Sequence, residues 1–332
     1  TKDGQIEQRS GSIYSPQNAI GYFMLMDPDA GPSVDPRGSL PLDYYAEGLR
    51  FLFSRTGWGQ EDSYFTYQVS WTGIDHRHGD ANNCGLHRKG EWITKEHMGY
   101  GAYESAVHNN VSIENDKPSH DDSLSTKIWE TGSQVTYGAK GDGAMVAWSV
   151  APTYTFALGD ATDLYNSDSS NVYDVTLATR SIVWLKPDHV ITYDRAATKT
   201  MNRFKRYYLQ TPSSPTINGD SVSASTAQGQ MLFFTKLLPE GASISSDTPS
   251  IEYNAGGEPM QQRIMIESKD LSARFLGVIQ GADAGGTADP ATLVKGAGSV
   301  AFDAAVVKGT LVAFPVDLGG SFSSVTFDVP NS

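Results

Sequence analysis

From about Tyr44 onward the chain is a succession of short runs rich in β-branched and aromatic residues, each closed by Gly, Asn, Asp or Pro. Phe65, Tyr67, Val69 and Trp71 alternate with Thr66, Gln68 and Ser70, which is the period of a strand with one buried face. Similar runs recur as GAMVAWSVA, TYTFAL, SIVWLKP, HVITYD, RFKRYYLQT, QMLFFTKLL, ARFLGVIQG and GTLVAFPVDL. Long amphipathic helical patterns are absent from this region, and the chain's 33 glycines suit turns between many strands. The pattern predicts an all-β body, a large antiparallel β-sandwich. No fixed-period repeat is present, which disfavours propellers and solenoids.

One helix is expected before that body. Ser15 is a suitable N-cap, Pro16 occupies the first helical position, and an apolar-rich run continues to Met26 before Asp27-Pro28 stops it. Residues 27–41, with four prolines, read as a connector. The expected organisation is therefore helix and linker over 1–41 and sandwich over 42–332, with a sub-boundary near 238–260. The chain starts at Thr1 without an initiator Met or a signal-like segment, which reads as a processed or excised piece.

The formal charge of −13 and the absence of Lys/Arg clusters argue against nucleic acid as a partner. No apolar run is long enough to span a bilayer as a helix, so no membrane partner is expected. The single cysteine, Cys84, excludes an intramolecular disulfide and a cysteine-rich zinc module. An anionic polymer would need a local basic or metal-containing cleft to offset the overall field.

Four of the 7 histidines fall in HRHGDANNCGLHRKGEWITKEH, residues 76–97, and His108 follows closely. On an extended backbone His76 and His78, at i and i+2, point to one face. CGLHRKGEWITK reads as a hairpin turning at Lys89-Gly90. His97, at the end of EWITKEH, and His108, in SAVHNNVSIEN, are expected to reach that face from neighbouring strands. Three imidazoles, His78, His97 and His108, would make a nitrogen site for zinc or a similar divalent ion, leaving His76 to move protons. Spacing alone leaves a bland alternative standing, in which these histidines only satisfy hydrogen bonds. His87, His120 and His189 read as turn or loop residues. Cys84 has no paired base, and the acidic pairs Glu61-Asp62 and Asp121-Asp122 read as solvated loops.

Several segments in order resemble the C-terminal β-sandwich region of the heparinase II/III-like polysaccharide lyases, a group that includes alginate lyases. SRTGWGQEDSYFTYQVSW resembles the Arg-x-x-Trp strand before the site, and HRHGDANNCGLHRKGEWI the His-x-His-x-Asp hairpin. HMGYG, VHNNVSIEN, TFALGDATDLY and TRSIVWLKPDHVITYDRA resemble four further segments, so the likeness runs from about Leu42 to Tyr207. The resemblance implies a supersandwich-like fold after a helical toroid, of which the first helix would be a remnant. It implies β-elimination on uronic-acid-containing polysaccharide, such as heparin-type chains or alginate, and a secreted or periplasmic location.

Residue by residue, the resemblance implies His76 as the proton-transfer histidine, with Tyr103 and Tyr100 as the nearest candidate tyrosines. It makes His78 and His108 ligands of a structural zinc-like ion. The third ligand, an aspartate in the relatives, falls at His97, with Glu96 adjacent as the fallback. Arg55 and Arg77 are expected to contribute positive field for substrate. The missing toroid is the expected partner domain. A non-catalytic, metal-stabilised carbohydrate-binding or assembly module is the alternative of a different class, and a glycoside hydrolase with a carboxylate pair is a weaker third.

Overall fold

A computed structural model describes residues 29, 31–32, 34–69, 78–97, 102–119, 129–249, 258–296 and 301–318. The chain divides into two compact units, 1–41 and 42–332. In the first, Pro36–Ser39 form a 3-10 turn whose start is capped by the Asp35 carboxylate on the Arg37 amide. The helix expected over 15–26 lies outside the described residues.

The second unit is built almost entirely from antiparallel strands. Its first sheet runs in simple meander order: β1 (Asp43–Ala46), β2 (Phe51–Arg55), β3 (Ser63–Gln68), β4 (Asn83–Arg88) and β5 (Glu91–Thr94). β4 and β5 are joined by Lys89 and Gly90, both at positive φ (46° and 87°), the two-residue turn whose twist suits a hairpin. A second sheet of four strands contains β6 (Val111–Ile113), β11 (Lys205–Thr211), β15 (Ile244–Asp247) and β16 (Gln262–Ser268), in the order β15-β16-β11-β6.

The largest sheet has eight strands: β7 (Ala144–Val150), β8 (Tyr154–Asp160), β9 (Val175–Leu185), β10 (His189–Thr198), β12 (Thr216–Asn218), β13 (Ser221–Ser225), β14 (Met231–Leu238) and β17 (Ser272–Ala282). Their spatial order is β12-β13-β14-β17-β10-β9-β8-β7. β18 (Ala291–Lys295), β19 (Phe302–Val307) and β20 (Thr310–Pro315) form a separate three-stranded sheet. The eight runs from GAMVAWSVA to GTLVAFPVDL each fall mainly on one of these strands, while the run expected to alternate from Phe65 to Trp71 is β3 as far as Gln68, with Trp71 outside the described residues.

The eight-stranded sheet is covered on both faces, which explains why SIVWL and HVITY read as continuous apolar runs instead of alternating ones. Ile182 and Trp184 point into a core shared with Leu52, Phe65 and Leu86 of the first sheet and Leu209 and Ile264 of the four-stranded sheet. Val183, Ile191 and Tyr193 point the other way, against Ala305, Val307 and Phe314 of the three-stranded sheet. Phe65 stacks on Trp184 at 5.6 Å, and both are fully buried. Side chains of this size contribute on the order of 2–3 kcal/mol each by leaving water, so this contact ties the first sheet firmly to the large one.

Candidate functional site

β3 ends at Gln68 and β4 begins at Asn83, and of the residues between them 69 and 78–82 are described. His76 and Arg77 lie outside the described residues, as does Tyr100. His78 and the residues after it are held by a dense polar clasp. The Gly79 amide donates to Tyr103 O (2.7 Å), and Gly79 O accepts from Ser105 Oγ (2.7 Å) and Asn110 Nδ2 (2.8 Å). Gln134 pairs with both backbone groups of Ala81, as a neighbouring strand would. Asn82 takes a left-handed conformation (φ 63°) and accepts from Tyr67 OH at 2.8 Å.

His108 caps the 3-10 turn Ser105–Val107, just before β6. Its neighbour Asn109 carries the attachment: Asn109 Nδ2 donates to Cys84 O and Thr94 Oγ1 (2.9 Å each), and Asn109 Oδ1 accepts from the Gln210 amide. Arg180, fully buried, joins the two segments from below. It forms a bidentate pair with Asp194 and donates to the backbone carbonyls of Asn82 and Asn109.

Within this frame three expected site residues meet. The His78 ring lies 5.4 Å from the His108 ring and 5.4 Å, edge-on at 73°, from Tyr103. Burial, with a smaller contribution from His108, holds His78 down at about 4, and burial does the same to His108. Both imidazoles are therefore neutral at neutral pH, the form that binds a metal or accepts a proton.

His108 Nε2 faces the carbonyl of Ala102 at 3.1 Å. A carbonyl only accepts, so Nε2 carries the proton and Nδ1 presents a lone pair. Nδ1 stands 2.8 Å from Glu96 Oε2. The separation is that of an ion pair, but the approach is not that of a hydrogen bond, and both atoms are buried without a hydrogen-bond partner. Burial raises Glu96 to about 7. Two acceptors facing at this distance call for a proton or a cation between them.

The three histidines do not come from three adjacent strands as expected. His78 is in a loop, His97 lies beyond the end of β5, and His108 ends a 3-10 turn. Side chains alternate along the extended segment after β5. Lys95 turns to Glu258, with Nζ 2.9 Å from both carboxylate oxygens, while Glu96 turns to His108. His97 is 3% exposed and both its ring nitrogens are buried without a partner. Burial holds it down at about 4, and Glu258 and Lys95 act on it more strongly than His108 does. Among the described residues no group of three or more His, Cys, Asp or Glu side chains is placed to hold a metal ion, and His78, His97 and His108 are no exception.

Arg55 lies away from this cluster. It ends β2 opposite Tyr64, and Tyr64 stands four positions along β3 from Gln68, where that strand ends. That is about 13 Å of strand. Sequence reasoning did not assign the supporting roles of Asn109, Gln134 and Arg180, because they depend on contacts between distant segments: Gln134 with Ala81, Arg180 with Asn82 and Asn109, and Asn109 with the Gln210 amide.

No family model matches the chain, and no curated protein matches it by sequence. Solved structures do match by shape. A heparan sulfate lyase, HepC from Pedobacter heparinus, superimposes with a TM-score of 0.62 over 95% of this chain and 48% of that one, at 14% identity. A heparinase III gene product gives 0.63 over 96% of this chain and 48% of that one, at 13% identity. Another heparinase III gives 0.58 over 82% and 42%, at 11% identity. The chain thus has the fold of a β-rich part of heparinase III-type lyases and spans about half their length or less.

Proposed function

We propose that this chain is the sandwich part of a polysaccharide lyase that cleaves uronic-acid-containing polysaccharide by β-elimination. The observation that carries the reading is the clasped loop that brings His78 against Tyr103 and His108, within a fold shared with heparan sulfate-cleaving enzymes.

β-Elimination at a uronate has three demands: relief of the negative charge on the carboxylate, removal of the C5 proton, and protonation of the leaving oxygen at C4. We assign proton transfer to His76, two residues before His78, with Tyr103, which packs against His78, as the partner phenol. Arg77, next to His76, is the candidate for the substrate carboxylate. A helical toroid supplied with the chain would form the opposite wall, and a secreted or periplasmic setting follows from a polymeric substrate.

A zinc-like ion belongs to the same reading. Its ligands would be His78, His108 and a third donor from the segment 95–97, for which Glu96 is better placed than His97. The support is the pair of buried acceptors Glu96 Oε2 and His108 Nδ1, which a cation would satisfy. Closure of the site requires His78 to turn toward that pair. When bound, the ion would neutralise the buried carboxylate and fix the two loops beneath the cleft.

The test is the formation of unsaturated uronate from heparan sulfate, alginate or hyaluronan. We expect the product from this chain joined to its toroid, and its loss when His76→Ala is made in that protein. Failure of every uronate polymer to give the product contradicts the proposal and favours the non-catalytic carbohydrate-binding or assembly module.

A further inference from the structure

Arg55 differs from the other arginines. Every other arginine among the described residues has a carboxylate within ion-pair distance, except Arg195, whose guanidinium is hydrogen-bonded to backbone carbonyls and Ser181. Arg55 has neither an ion pair nor a side-chain hydrogen bond among the described residues, and its nitrogens are not among the buried unpartnered atoms. Arg55 as a whole is half-buried. Its guanidinium is fixed, 3.9 Å from the ring centre of Trp58 and 4.4 Å from that of Tyr64. Aromatic faces hold a cation in place without neutralising its charge, so all of its donors stay available. Trp58 Nε1, buried and without an acceptor among the described residues, is a second donor left unanswered.

This cation ends a row. Arg55, Tyr64, His87 and Trp92 stand directly opposite one another across β2, β3, β4 and β5. Residues so paired share one face of the sheet, and all four are half-buried. Tyr64 and Trp92 are 6.2 Å apart, and His87 meets Trp92 at 5.2 Å. Trp92 extends over Gly85, where an added Cβ would lie 3.1 Å from its ring. The row crosses four strands, about 14 Å, at the end of the sheet remote from the histidine loop.

We propose that this row is a second binding site, separate from the histidine cluster, for an acidic oligosaccharide. The aromatic rings stack on the C–H faces of the sugars, and Arg55 grips a carboxylate or sulfate with its forked donors. A chain with net charge −13 repels an anionic polymer at long range, so a cation left unneutralised within an aromatic row is the local feature such a ligand needs. The proposal rests on the reading of the substrate as an acidic polysaccharide.

The test is calorimetric titration of wild type, Arg55→Gln, Trp92→Ala and the control Trp148→Ala, which alters an exposed position on edge strand β7. The probes are size-defined heparan sulfate and alginate oligosaccharides, with a neutral cello-oligosaccharide for comparison. We expect Arg55→Gln and Trp92→Ala to bind an acidic probe at least about tenfold more weakly, a change of about 1.4 kcal/mol. Trp148→Ala should bind as wild type, and the neutral probe should bind more weakly than the acidic one.

Acidic probes that bind all four proteins equally would overturn the row while leaving the lyase reading intact. Equal binding of neutral and acidic probes would overturn the role of Arg55. No binding to wild type, or burial of the row by a second copy of the chain in solution, would overturn the site altogether. The lyase reading is judged separately, by the unsaturated product.

Discussion

Arg180 and Asp194 meet between β9 and β10, with Nε to Oδ1 at 2.7 Å and Nη2 to Oδ2 at 2.9 Å, both side chains buried. The remaining Arg180 nitrogen reaches up to the carbonyls of Asn82 and Asn109, one on the histidine loop and one beside His108. Removing either charge strands the other in the core. Asp194→Asn or Arg180→Gln should therefore cost about 3–5 kcal/mol in urea unfolding. A loss below about 1 kcal/mol would show that the pair does not hold the two loops.

Gly79 follows His78 through a gap that admits no side chain. A Cβ there would stand 2.7 Å from Ser133 Oγ, 2.8 Å from Ser105 Oγ and 3.1 Å from Tyr103 O. Gly79→Ala should destabilise by about 1–3 kcal/mol and lower the elimination rate by displacing His78. An unchanged melting temperature and an unchanged rate would disprove the close fit.

Burial pushes the Cys84 thiol up from 9.0 to about 11. Between those values the unfolded chain has lost this proton and the folded chain has kept it. The contribution to stability is therefore full below pH 9 and is lost as pH rises toward 11. A disulfide reagent at pH 8 should leave native Cys84 unmodified and label it only as urea unfolds the chain. Rapid labelling of the native protein would contradict its burial.

Zinc content separates Glu96 from His97. Plasma mass spectrometry of wild type, Glu96→Gln, His97→Ala and His108→Ala, prepared without chelator, should find near-stoichiometric metal in wild type and His97→Ala only. Loss in His97→Ala with retention in Glu96→Gln would restore the three-histidine site. Metal-free wild type would remove the ion from the account.

Period-two alternation and Gly/Asn/Asp punctuation made the strands legible, and Lys89-Gly90 made the β4–β5 hairpin legible through its need for two positive φ values. The covering of β9 and β10 on both faces was not legible, because a continuous apolar run such as SIVWL does not say what lies on each side. The same limit applied to the site. Neighbouring His78 and His108 were anticipated from their motifs, but the choice between Glu96 and His97 depends on where β5 ends, since one residue of shift turns a side chain to the opposite face. Arg55 was read as supplying positive field for substrate, and strand register places it at the end of the sheet remote from His78 and His108.

The most direct test of the central claim is the appearance of unsaturated uronate, followed by the ultraviolet absorbance of its new double bond. The account predicts product from at least one uronate polymer with wild type joined to its toroid and a fall of about 10²-fold or more in His76→Ala. Product formed equally fast by His76→Ala, or chain cleavage that generates no double bond, would contradict it.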